Sequence, residues 1–129
     1  MKVPRERSPA YALVFAASLP HLQQIAREHG YALAVHGSMR TDLDLIAAPW
    51  VDEASPAEEL IEALRVGTNG FFREEPEGWE RSPVYRSHGR RAWSIYLDPG
   101  QHYYLDISVM PRECDWGTDA IQNPLFREP

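Results

Sequence analysis

Residues 36 to 50 read "HGSMRTDLDLIAAPW", and the fold turns on the alternation inside that run. Side chains of a β-strand point to opposite faces in turn. Leu43, Leu45 and Ala47 therefore share one face, and Asp42 and Asp44 share the other. Just upstream, "YALAVHG" (31–37) repeats the pattern, with Tyr31, Leu33 and Val35 opposing His36. Only Met39, Arg40 and Thr41 lie between the Gly37-Ser38 pair and Asp42, a connection that allows a hairpin and excludes a parallel crossover.

Two more strands are expected downstream in "RRAWSIYLDPGQHYYLDISVM" (90–110), with the Pro and Gly of "DPGQ" making the turn. Trp93, Ile95 and Leu97 oppose Ser94 and Tyr96, while Tyr103, Leu105, Ile107 and Val109 oppose His102, Tyr104, Asp106 and Ser108. Each strand thus has an apolar side and a side that tolerates polar groups, as when helices cover one face of a sheet.

The helices are expected on either side of the first hairpin. Apolar residues recur at helical spacing over 9–29, with Ser8 and Pro9 suiting the start, Gly30 the stop, and Pro20 a kink or division. "SPAEELIEALRVG" (55–67) predicts a helix capped by Ser55, with Pro56 first, Glu58 completing a capping box and Gly67 closing it. Residues 68–90 carry no sustained period and read as a long loop, and the tail from about 111 reads as irregular. The expectation is one α+β domain over 1–129: a mainly antiparallel or mixed four-stranded sheet with helices packed on one face.

Composition narrows the partners. Hydrophobic residues make up 43% and charged residues 25%, ordinary globular usage, so the chain is large enough and apolar enough for one core. The formal net charge of -6 argues against nucleic acid, or an anionic membrane surface, as a broad electrostatic partner. No stretch approaches the roughly 20 apolar residues that span a bilayer. The single cysteine, Cys114, makes no intramolecular disulfide and fits a reducing compartment, so a cytoplasmic protein is expected.

Asp42, Asp44 and Asp106 all fall on the open side, and if their two strands are neighbours they converge. Carboxylates on the wet side of a strand are ordinary, yet aspartate is depleted in strands, so three on one face invite a reason. Converging carboxylates repel one another and call for a cation. Mg2+ or Mn2+ suits such an oxygen cluster and keeps room for water and phosphate oxygens.

Gly37-Ser38, then Asp42-Leu43-Asp44-Leu45, then "YYLDISV" with Asp106, resembles the signature of the DNA polymerase β-like nucleotidyltransferase superfamily. The resemblance spans about residues 20 to 110 and rests on those few positions. It implies a mixed sheet with helices on one face. It also implies a nucleoside triphosphate substrate, metal bound by Asp42 and Asp44, Asp106 as the third carboxylate that helps activate the attacking hydroxyl, and Gly37 and Ser38 holding the triphosphate. The family usually has a longer insert with a helical turn before the first aspartate. The runs "IAREHGYALAVHGS", "DLDLIAAPW" and "LDISVMPR" are also similar to short uncharacterised proteins of tailed phages and prophages, which implies host cytoplasm and an accessory role.

"RSHGRR" (86–91) gathers three arginines, and Arg90 or its neighbour Arg91 offers a fork for phosphate; the bland reading is a solvated loop beside the protein's own acids. His36 could orient substrate or be a satisfied, partly buried ring. Two functions stay open: a minimal metal-dependent nucleotidyltransferase, and a catalytically inactive accessory protein that binds a host or phage protein partner.

Overall fold

In the computed structural model, which describes residues 16–37, 43–72, 74–75, 78–79, 83–100 and 103–115, the alternation at 43–49 becomes the second strand of a five-stranded mixed sheet. In chain order the described strands are β1 (Tyr31–His36), β2 (Leu43–Pro49), β3 (Glu74–Glu75), β4 (Gly78–Trp79), β5 (Val84–Tyr85), β6 (Arg91–Tyr96) and β7 (Tyr104–Val109). The helices are α1 (Leu19–Glu28) and α2 (Ala57–Thr68). The sheet order is β1-β2-β7-β6-β5, and β3 and β4 pair separately. β2 and β7 are parallel; the other neighbours are antiparallel.

The parity read from the sequence decides which face is buried. Leu43, Leu45, Ala47, Leu105, Ile107, Val109, Trp93 and Ile95 are buried in one core cluster with Tyr31 and Leu33. α1 adds Leu22 and Ala26 to it, and α2 adds Ala57, Leu60, Ile61 and Leu64 at helical spacing. Arg91 shares that face, ion-paired with Glu58 of α2 at 2.8 Å and lying over the Trp93 ring at 5.4 Å. The helix layer thus occupies one side and leaves the aspartate side to other uses.

The sheet has one strand more than the four expected. β5 is the addition, pairing Val84 with Ala92 and Tyr85 with Arg91. Two residues cannot display a period, which is why this strand and the β3–β4 ladder read as loop in the sequence. α2 also differs at both ends. It passes through Gly67 to Thr68 and stops where Asn69 turns left-handed, at φ 55. Pro56 stands at the N-cap with no side-chain cap bond. Ser55 is engaged elsewhere: its N–H donates to the His29 carbonyl at 2.8 Å, and its carbonyl accepts from the Tyr31 hydroxyl at 2.7 Å. Pro20 sits in the first turn of α1 after the N-cap Ser18, so it divides the 9–29 run, while the expected Ser8-Pro9 start lies outside the described residues.

Candidate active site

Burial of the leucine side against the helices leaves the opposite parity on the other face, where Ala92 and Ser108 are buried and Asp44, Ser94 and Asp106 half-buried, and the register there sets one row. His36 of β1 lies opposite Asp44 of β2, Asp44 opposite Asp106 of β7, and Asp106 opposite Ser94 of β6. Backbones of adjacent strands are about 4.8 Å apart, so the two carboxylates are direct neighbours across one parallel ladder. Both aspartates are half-buried and His36 is exposed, whereas the flanking Leu43, Leu45, Leu105 and Ile107 are almost fully enclosed. Ser38 and Asp42 lie outside the described residues.

Gly37 closes this row at the end of β1. Its φ of +83° is left-handed, and a Cβ built on it would stand 2.7 Å from the Asp44 Oδ2. Glycine is needed twice over here, for the backbone conformation and to let the chain pass against a carboxylate.

Among the arginines of 86–91, Arg86 reaches the row. Its Nη2 lies 3.6 Å from the Asp106 Oδ2. Arg90 turns its Nε to the Ser87 carbonyl at 3.2 Å, and Arg91 belongs to the helix side. The phosphate candidate nearest the carboxylates is therefore Arg86, which the sequence reading did not single out. Parity carried the signal, since Arg86 shares the face of Val84, but only once β5 is recognised as a strand.

The opposite end of the β2–β7 pair is built differently. Beyond β7, Arg112 donates from Nη2 to the Asp115 Oδ1 at 2.9 Å and from Nε to Oδ2 at 3.1 Å, while its N–H donates to Oδ2 at 2.8 Å. Its Nη1 donates to the Ala54 carbonyl at 3.2 Å. Burial pushes the Asp115 carboxyl up, but the hydrogen bonds and charge of Arg112 together hold it below its ordinary value. The Asp115 hydrogen bond in turn raises the Arg112 guanidinium. Nearby, burial pushes the Tyr31 hydroxyl up to about 12. A cleft of about 480 Å³, lined by Pro49, Trp50, Asp52, Arg112 and Cys114 among others, opens at this end, away from the aspartate row.

No group of three or more His, Cys, Asp or Glu able to hold a metal ion occurs among the described residues. The donor set on the open face is the facing pair Asp44 and Asp106. That pair fits Mg2+, which binds through one or two carboxylates and fills its octahedron with water and phosphate oxygens. No family model, curated protein or solved structure matches this chain. No helix among the described residues is long and apolar enough to cross a membrane.

Proposed function

We propose that this chain is a minimal metal-dependent nucleotidyltransferase-like protein that passes a nucleoside monophosphate from a nucleoside triphosphate to an acceptor hydroxyl, forming the new P–O bond as the α–β anhydride breaks and pyrophosphate leaves. The observation that supports this reading is the register of Asp44 with Asp106, two carboxylates facing across a parallel ladder beside the left-handed Gly37. Asp44, with Asp42, would hold Mg2+ or Mn2+. The ion, when bound, supplies charge stabilisation to the phosphoryl oxygens during in-line displacement. Asp106, facing Asp44 across the ladder, would share the ion and draw the proton of the attacking hydroxyl. Gly37, lacking a side chain, would let phosphate approach the backbone, with Ser38 beside it. The helices on the far face pack against the buried leucines of β2 and β7, on the side opposite the row.

Titration of ATP in the presence of Mg2+ or Mn2+ tests this. Wild type should bind ATP only with the ion, and Asp44→Asn should weaken that binding at least about tenfold, the loss of one charged ligand. Superimposable isotherms for the two proteins would reject the reading.

A second reading, a non-catalytic accessory protein that binds a host or phage protein partner, draws on the opposite face. The groove between α1 and α2 is floored by Ile25, Ala63 and the 59% exposed Val66, and rimmed by Glu28, Glu59 and Glu62. A partner bound there should be indifferent to Asp44→Asn and sensitive to Val66→Asp.

A further inference from the structure

Resting on the reading of Asp44 and Asp106 as a metal and triphosphate site, we propose that Arg86 is its phosphate-binding residue. In the free protein it neutralises Asp106, and it turns to phosphate when a divalent cation takes that carboxylate.

The base of Arg86 is fixed and its head is not. Its N–H donates to the Arg90 carbonyl at 2.8 Å, closing a turn in which His88 and Gly89 are left-handed, at φ 63 and 73. Arg90 braces the same turn through its own N–H and Nε, both directed at the Ser87 carbonyl. Arg27, Arg65, Arg90, Arg91 and Arg112 each donate a hydrogen bond from the guanidinium, and among the described arginines Arg86 alone does not. Its contact with Asp106 is a 3.6 Å ion pair with side chains 44% and 26% exposed. A pair that long and that wet is weak, so it separates at little cost.

Continuing the β5–β6 register from Tyr85 and Arg91 sets Arg86 level with Arg90, and the row between it and the Asp106–Ser94 row holds Val84, Ala92 and Ser108, so the long Arg86 side chain reaches Asp106 across that row. An ion on Asp106 would displace the guanidinium by like-charge repulsion, while the phosphates carried with that ion offer it a planar, bidentate partner. One residue thus competes with metal alone and cooperates with metal plus phosphate.

This predicts effects of opposite sign from a single substitution. Arg86→Ala should bind Mn2+ alone about two- to fivefold tighter, the scale of an exposed ion pair removed. With Mg2+ present, the same variant should bind inorganic pyrophosphate at least about tenfold more weakly. Arg86→Lys should keep Mn2+ binding near wild type and recover part of the pyrophosphate affinity, and it stands in should Arg86→Ala fail to fold. Arg27→Ala, on α1, should change neither. Unchanged or weakened Mn2+ binding by Arg86→Ala, or undiminished pyrophosphate binding, overturns the proposal. Asp44→Asn separates the two claims: Mn2+ binding that it abolishes, combined with unaltered pyrophosphate binding by Arg86→Ala, defeats the role of Arg86 and leaves the site standing. Absence of Mn2+ binding in both wild type and Arg86→Ala defeats both.

Discussion

Two arginine–aspartate pairs mark the two ends of the parallel β2–β7 ladder, and they are made to opposite specifications. Beyond the C-terminal end, Arg112 grips Asp115 with a guanidinium fork and a backbone N–H, in side chains 21% and 15% exposed, and spends a remaining donor on the Ala54 carbonyl. Toward the N-terminal end, Asp106 meets the Nη2 of Arg86, reaching back from the level of the other end, at 3.6 Å in more open surroundings, and that guanidinium makes no hydrogen bond among the described residues. The first pair completes a structural joint. The second is a longer, more exposed contact. Gly30 and the 54–55 segment belong to the joint: Gly30 is left-handed and its carbonyl accepts from the Trp50 N–H at 3.0 Å, while Tyr31 bonds Ser55.

The sharpest way to break this contrast is to cut the joint. Arg112→Ala removes the partner of a half-buried carboxylate and orphans the Ala54 carbonyl, and should cost about 2–3 kcal/mol by chemical denaturation. The joint should also show in acid. Asp115 titrates below its ordinary value near 3.9 when folded, so the unfolded chain takes up the proton first. Its contribution is present above about pH 4 and is lost as pH falls through the lowered folded value. Asp115→Asn should therefore flatten the fall in stability below pH 4; equal slopes for variant and wild type would deny the pair its structural role.

Next in size is Gly37→Ala, at the carboxylate end. A side chain there meets a left-handed backbone at φ +83° and stands 2.7 Å from the Asp44 Oδ2, so about 1–2 kcal/mol should be lost and Asp44 displaced. A smaller effect returns to the joint. Tyr31→Phe removes one hydrogen bond to Ser55 and should cost about 1 kcal/mol at neutral pH. The Tyr31 hydroxyl, raised to about 12, stabilises the fold fully below its ordinary value near 10 and ceases to do so as pH rises through 12. Thermal melts between pH 9 and 12 should fall more steeply in wild type than in Tyr31→Phe.

How much of this the sequence discloses depends on the length of the element. Seven residues of β2 and six each of β1, β6 and β7 are long enough for parity to separate Leu43 from Asp44 and Leu105 from Asp106, so the buried face and the aspartate face were both legible. That β2 and β7 lie side by side was not, since register between strands some sixty residues apart is fixed by the packed core and not by any local signal. β5, with two residues, carries no pattern, and Arg86 was hidden with it. Ser55 and Gly67 misled for a related reason. Each matches a helix-end preference worth about 1 kcal/mol; Gly67 instead packs closely against Ile25, and the Ser55 backbone is tied to His29 and Tyr31 one residue before the Pro56 N-cap.

The smallest expected effect is the most discriminating, because the two pairs share a chemistry and differ only in setting. A double-mutant cycle on Arg112 and Asp115 should give a coupling of about 1.5–3 kcal/mol, the value of hydrogen bonds to charged groups. The same cycle on Arg86 and Asp106 should give less than about 0.5 kcal/mol at low salt. In 1 M NaCl, where the screening length falls to about 3 Å, it should vanish while the first coupling persists. A salt-resistant coupling above about 1.5 kcal/mol between Arg86 and Asp106 would make both ends of the ladder joints, and would leave Asp106 too firmly held to exchange a guanidinium for anything else.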